Sequence, residues 1–287
     1  MTISHPDGLA LTQAGHVTRL KWHRLRRCMR DPLFSAEVME EGFRLGASME
    51  LDLRVRGDGG FVVLHDALLE GETNGQGRIA EKSRAEMAGL SFADSSRPLI
   101  FSEDLAAVLG TAHPAALLQF DMKDDFEAIG AEGVAHLARY FSDIPASVIV
   151  SGASIELIEA VRAHVPSLLR GIDPTDALVA IYQQVGLAAM EQSLLADLRG
   201  ATAPDTVYLA WQLILEADAE GLDLIGLCQA EGTWVDAWTF TLKDPEGGFS
   251  DGEWAAFSRL MALRVDQITT DEAIATEAAW HKRMSAE

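Results

Sequence analysis

The 287-residue chain is short of cysteine, of positive charge and of long apolar runs, and each shortage excludes something. Only Cys28 and Cys228 are present, 200 positions apart, which is neither a disulfide framework nor a metal-ligand spacing. Two reduced thiols in a cytoplasmic protein are the expectation. Lys and Arg number 23 against 44 Asp and Glu, a formal charge of −21, so broad docking on nucleic acid or on anionic membranes is excluded. Any phosphate the chain handles has to be met locally. No run approaches the roughly 18 apolar residues of a membrane span, and the nearest, Ala177 to Met190, is broken by Gln183 and Gln184. The opening residues lack a basic stretch followed by an apolar one, so no export signal is expected.

What remains is an ordinary globular composition, 48% hydrophobic and 23% charged, enough to bury a large core. Short β-rich runs alternate with helical patterns almost from end to end, the mark of parallel βαβ units. Eight strands are predicted: Val17–Arg24, Ala47–Val55 continuing at Phe61–His65, Ala116–Lys123, Ser147–Ser151, Ser167–Ile172, Thr206–Trp211, Trp234–Thr241 and Val265–Thr269. Helices are predicted at Phe34–Leu45, Phe126–Phe141, Ile155–His164, Asp176–Leu198, Leu213–Ala230 and Gly252–Leu263, with Ser154, Asp176 and Asp251 as caps. Eight such units make an α/β fold of the (β/α)8 TIM barrel class. One domain over 17–283 is expected, with a small insertion at 67–113 after the second strand, too long for a simple loop.

Parallel barrel strands are buried on both faces, so polar residues inside them need a reason. In Ser48-Met49-Glu50-Leu51-Asp52-Leu53 the period of two sets Ser48, Glu50 and Asp52 on one face and the apolar residues on the other. Two carboxylates then share the interior, where like charges are costly unless something positive sits between them. A hard divalent cation meets that need, as does a set of Arg and Lys neighbours. The third strand sends Gln119, Asp121 and Lys123 to one face; Asp121 suits a third cation ligand and Lys123 an anion contact, although an Asp-x-Lys alone also reads as an ion pair. His23 and His65 fall at C-terminal strand ends, where barrel active sites are built, and two histidines across one substrate can divide proton removal and donation. Trp238, near the end of the seventh strand, reads either as a substrate wall or as core, and Asp271 as a helix N-cap.

In order along the chain stand His23-Arg24, Glu50-Leu51-Asp52, His65-Asp66, Asp121-Met122-Lys123, Trp238-Thr239 and Thr270-Asp271. This order, spanning about Lys21 to Asp271, resembles the glycerophosphodiester phosphodiesterase family. The most specific part runs from Gly46 through Arg54 to Gly59–Asp66, and Thr73–Ile79 is similar to the start of that family's insertion.

The resemblance implies metal-dependent hydrolysis of glycerophosphodiesters to an alcohol and glycerol 3-phosphate. It places one divalent cation, Ca2+ or Mg2+, on Glu50, Asp52 and Asp121, the acid-base pair on His23 and His65, and phosphate contacts on Arg24 and Lys123. Trp238 is carried as a substrate contact. Two departures stand out: Leu25 occupies the place of the family's usual Gly, which puts the shape of the backbone there in question, and Asp121 that of its usual Glu. Two other reactions stay open on the sequence, a phospholipase D-like lyase that closes a cyclic phosphate and a binding protein with little turnover. A small soluble diester is the expected partner, with no nucleic acid and no stable membrane association, and the sequence sets no oligomeric state.

Overall fold

The computed structural model describes residues 6–144 and 148–285. Its strands are β1 (Ala10–Gln13), β2 (His16–Trp22), β3 (Ser48–Val55), β4 (Phe61–Val63), β5 (Leu117–Met122), β6 (Val148–Ser151), β7 (Leu169–Ile172), β8 (Thr206–Ala210), β9 (Trp234–Trp238) and β10 (Gln267–Thr270). Its helices are α1 (Ala36–Leu45), α2 (Arg84–Met87), α3 (Ser102–Leu109), α4 (Phe126–Phe141), α5 (Ile155–His164), α6 (Thr175–Val185), α7 (Leu187–Leu198), α8 (Trp211–Ala219), α9 (Leu224–Ala230), α10 (Asp251–Ala262) and α11 (Ala273–Met284). The chain divides into a central unit, Pro32–Ile172, and a terminal unit, Met1–Asp31 with Asp173–Glu287.

Within the central unit β3, β5, β6 and β7 pair in parallel in that order. Within the terminal unit β2, β10, β9 and β8 do the same. Four and four parallel strands alternating with helices along the chain give the expected class, a (β/α)8 TIM barrel. The insertion after β4 carries two short helical turns at Leu69–Gly71 and Ile79–Glu81 before α2 and α3. Among the described residues no helix is long and apolar enough to cross a membrane.

Several local readings are sharpened. The segment Phe61–His65 does not continue the second strand: β4 turns back and pairs antiparallel with β3, Leu53 opposite Val63 and Val55 opposite Phe61. An unforeseen strand, β1, pairs antiparallel with β2 across a two-residue turn, Ala14 and Gly15, both at positive φ (47° and 80°), the geometry that suits strand twist. The two longest predicted helices are each broken, near Gly186 (φ 110°) into α6 and α7 and around Gly221 (φ 93°) into α8 and α9. Ser154 caps α5 as expected, whereas α10 is capped by Ser250 in a capping box with Glu253, and Asp176 sits in the first turn of α6 behind Pro174. Ser147, predicted to open the fourth strand, lies outside the described residues.

The terminal unit has a polar interior as well as an apolar one. Lys21 Nζ lies 2.6 Å from Asp236 Oδ2, both side chains at most 2% exposed. Gln267 Nε2 and Thr269 Oγ1 donate to the same carboxylate at 2.5 and 2.7 Å, and the ammonium stands 4.4 Å over the Tyr208 ring. A buried pair recovers its desolvation cost only when its remaining lone pairs are met in this way.

Candidate active site

In β3 the period of two works as the sequence predicts: Met49, Leu51 and Leu53 are fully buried on one face, and Ser48, Glu50 and Asp52 are buried on the other. The register with β5 sets Asp52 opposite Asp121 and Glu50 opposite Gln119. One oxygen each from Glu50, Asp52 and Asp121 thereby falls within 4.8 Å of the others. Gln119, on the same face of β5, is occupied elsewhere and donates to Ser151 Oγ at 2.8 Å.

Lys123 meets this cluster from the end of β5. Its Nζ lies 2.9 Å from Asp52 Oδ1 and 2.5 Å from Asp121 Oδ2. Burial alone would lower its pKa, but the charges of Asp121 and Asp52 outweigh burial and hold the ammonium well above the ordinary lysine range. Three carboxylates stand beside the ammonium of Lys123, and the donors are hard oxygens. The set therefore fits one divalent cation in charge and in chemistry.

His65 follows β4, which returns along β3. Its main-chain N–H and that of Asp66 both donate to Glu72 Oε2, at 2.7 and 2.8 Å, so the insertion fixes the backbone that carries the histidine. Its ring Nδ1 pairs with Asp66 Oδ1 at 3.0 Å. Arg54, in β3, donates to the carbonyl of His65 (2.8 Å), the carbonyl of Lys123 (2.7 Å) and Asp124 Oδ1 (2.9 Å). One guanidinium thus ties the ends of the two motif segments together, and Arg in a forked geometry is suited to such a role.

In the terminal unit His23 lies just beyond β2, in a short 3-10 turn, His23–Leu25. Arg24 and Leu25 both have left-handed backbones, φ 51° and 55°, which is the physical reason a glycine suits the third position of this motif. Leu25 takes that backbone and buries its side chain fully in the core. His23 Nδ1 lies 2.9 Å from Asp271 Oδ1, just after β10. The same oxygen accepts from Arg26 Nη2 at 2.5 Å, and Oδ2 accepts from Thr241 Oγ1 at 2.9 Å. Burial would raise the Asp271 pKa, but hydrogen bonding and attraction to His23, with Arg26 and Thr241, lower it to about 2. Asp271 is therefore not a helix cap: α11 starts at Ala273 behind Glu272, without a side-chain cap. Trp238, the last residue of β9, is half-buried, and its indole Nε1 is buried with no hydrogen-bond partner among the described residues.

The central unit thus brings Glu50, Asp52, Asp121 and Lys123 together and carries His65 on a backbone that Arg54 ties to that of Lys123, and the terminal unit carries His23, Arg24 and Trp238. Sequence reasoning missed Arg54, Glu72 and the His23–Asp271–Arg26 network. Arg54 had a signal, a third charge on the face of β3 that holds Glu50 and Asp52. Glu72 and Arg26 had none, because their partners are set by folding.

The family model described as the glycerophosphoryl diester phosphodiesterase family matches residues 35–275. No curated protein is significantly similar to the chain in sequence. Among solved structures, a glycerophosphodiester phosphodiesterase from Agrobacterium tumefaciens is 15% identical, with a TM-score of 0.62 over 92% of this chain and 99% of that one. One from Thermotoga maritima is 17% identical, with a TM-score of 0.63 over 92% and 97%. A phosphodiesterase from Oleispira antarctica, in complex with its product sn-glycerol-3-phosphate, is 16% identical, with a TM-score of 0.61 over 91% and 96%. These likenesses carry the fold, and the family match over most of the sequence carries the class: the chain belongs to the glycerophosphoryl diester phosphodiesterase family and is an enzyme of that class.

Proposed function

We propose that the chain hydrolyses glycerophosphodiesters to an alcohol and glycerol 3-phosphate with one divalent cation, Ca2+ or Mg2+, held by Glu50, Asp52 and Asp121. The observation that carries this reading is the carboxylate cluster, Glu50 and Asp52 buried and Asp121 half-buried, with three oxygens within 4.8 Å of one another. When bound, the cation supplies Lewis-acid polarisation of a phosphoryl oxygen. Lys123 stays protonated beside it and offers positive charge to the phosphate, and Arg24 is assigned the same task from the turn after His23.

His23 and His65 divide the proton transfers, one accepting the proton of the attacking oxygen and the other delivering one to the leaving alkoxide. Asp271 acts as a positioning residue: by engaging His23 Nδ1 it turns Nε2 toward the reaction and steadies the ring as it gains a proton. Trp238 contributes a half-buried indole whose N–H awaits an acceptor, which supports a substrate contact. Two free cysteines and a net charge of −21 favour a cytoplasmic setting and a small diester over a nucleic acid or a membrane.

The test is release of glycerol 3-phosphate from glycerophosphocholine and similar diesters, with chelator and with Ca2+ or Mg2+ restored. Activity that depends on the cation and falls by about 100-fold or more in His23→Ala and in His65→Ala is expected. Full activity in both variants would overturn the acid-base assignment. A cyclic phosphate among the products would overturn hydrolysis as the reaction.

A further inference from the structure

In the central unit one side chain is bonded to the main chain of both His65 and Lys123. Arg54, near the end of β3, shares its strand face with Glu50 and Asp52. Its Nε donates to the His65 carbonyl at 2.8 Å, and its Nη1 to the Lys123 carbonyl at 2.7 Å and to Asp124 Oδ1 at 2.9 Å. Asp124 Oδ2 in turn accepts the Val55 N–H at 2.8 Å, so that carboxylate is pinned to the strand that bears the arginine. A planar fork holds three acceptors in fixed directions, which an ammonium on a flexible stem does not.

The two residues that it joins are unequal partners. Lys123 is also held at both ends by other groups: its N–H donates to the Leu53 carbonyl at 3.0 Å, and its ammonium lies on Asp52 and Asp121. His65 stands past the end of β4 with its side chain 39% exposed, and its ring partner, Asp66, is itself 49% exposed. The firmer hold is on the main chain, where the N–H groups of His65 and Asp66 go to Glu72 and the His65 carbonyl goes to Arg54. Restraint therefore runs from the fixed end, Lys123 with Asp124, through the guanidinium to the histidine. An exposed ring keeps a reaction geometry only if the chain beneath it is fixed, and a displacement of about 1 Å is worth about 100-fold in rate.

We propose that Arg54 is a positioning residue for the reaction: anchored on Lys123 and Asp124, it fixes the main chain of His65 and so keeps the imidazole within reach of the proton that it transfers. The inference rests on the proposed hydrolysis, with His65 as one of its two proton-transfer groups. Arg54 acts through the histidine and through the shape of its fork, not through its charge.

The experiment measures kcat and KM on glycerophosphocholine with Ca2+ or Mg2+ for the wild type, Arg54→Met and Arg54→Lys, each alone and combined with His65→Ala. Arg54→Met is expected to lower kcat by about 10- to 100-fold with KM within about threefold. Arg54→Lys, which keeps the charge and disturbs folding least, is expected to stay within about threefold of Arg54→Met. In the His65→Ala background either replacement should cost less than about threefold, because the group that it positions is gone. Equal costs in the two backgrounds would make Arg54 a general support of the fold, and full activity in Arg54→Lys would make it a charge; either result overturns the proposal. Hydrogen exchange read by mass spectrometry needs no turnover: in Arg54→Lys it should rise by about tenfold in peptides that carry the His65 and Asp66 amides and stay unchanged across β6. A rise everywhere, or none at His65, also overturns the proposal. A wild type that releases no glycerol 3-phosphate with either cation overturns the hydrolysis instead, and the exchange pattern then decides by itself whether Arg54 holds the His65 main chain.

Discussion

His23 and Asp271, 248 positions apart in the chain, meet at 2.9 Å between Nδ1 and Oδ1, on an oxygen that Arg26 also holds at 2.5 Å. The contact gives the ring a fixed orientation and gives the carboxylate two basic neighbours. Replacement Asp271→Asn keeps the size and removes the charge. We expect kcat to fall by about 100-fold with KM little changed, because the loss falls on proton transfer and not on binding. Steady-state kinetics on glycerophosphocholine checks this, and an equal rise in KM would assign Asp271 to the shape of the pocket instead.

The same carboxylate sets an acid limit on stability. Its pKa in the folded chain is about 2, below the ordinary 3.8, so the folded state favours the ionised form. That stability is fully present above about pH 4 and is lost as the pH falls through the folded pKa, up to about 2 kcal/mol in all. Urea melts of the wild type and Asp271→Asn between pH 6 and pH 2.5 test it. The gap between the two proteins should narrow in acid, and a constant gap would show that the charge of Asp271 is not what stabilises the fold.

Lys123 competes for the charge that a cation would meet. Substitution Lys123→Met removes the ammonium from Asp52 and Asp121, at 2.9 and 2.5 Å, and leaves the cluster one charge more negative. Calorimetry should find Ca2+ or Mg2+ bound about tenfold more tightly or better, while turnover falls because the phosphate loses a cationic contact. Weaker cation binding in the variant would mean that Lys123 orders the ligands rather than opposing the ion.

Leu25 places a buried leucine on a left-handed backbone, φ 55°. Leu25→Gly would relieve about 1–2 kcal/mol of backbone strain and forfeit the burial of a large side chain, about 2–5 kcal/mol. The core loss wins, so the variant should unfold at lower urea by about 1–3 kcal/mol. A more stable variant would show that the buried leucine is poorly packed.

The carboxylate trio was legible because strand alternation is a property of the backbone: once Glu50-Leu51-Asp52 lies in a buried strand, both acids must share a face. The same rule found Asp121 and Lys123. Direction was not legible, since Phe61–Val63 has the pattern of any short strand and only the turn before it decides that it runs back along β3. Nor was the role of Asp271, whose nearest sequence context resembles a cap and whose true partners, His23, Arg26 and Thr241, arrive from distant segments. The helix breaks near Gly186 and Gly221 were visible as residues but not as decisions, because a glycine within a helical pattern is often tolerated.

The return of β4 along β3 makes the turn between them a ruler for His65. Its five residues, Arg56–Gly60, are pinned by the Arg56 N–H on the Gly60 carbonyl at 2.8 Å and by Gly59 at φ 77°. One residue added here would shift the pairing by one and send alternate side chains of β4 to the opposite face, turning the histidine's approach with them. The longer insertion downstream can tolerate changes in length wherever Glu72 still reaches the His65 and Asp66 amides. In this chain the length of a five-residue turn bears more directly on where His65 lies than does the length of the forty-odd residues that follow it.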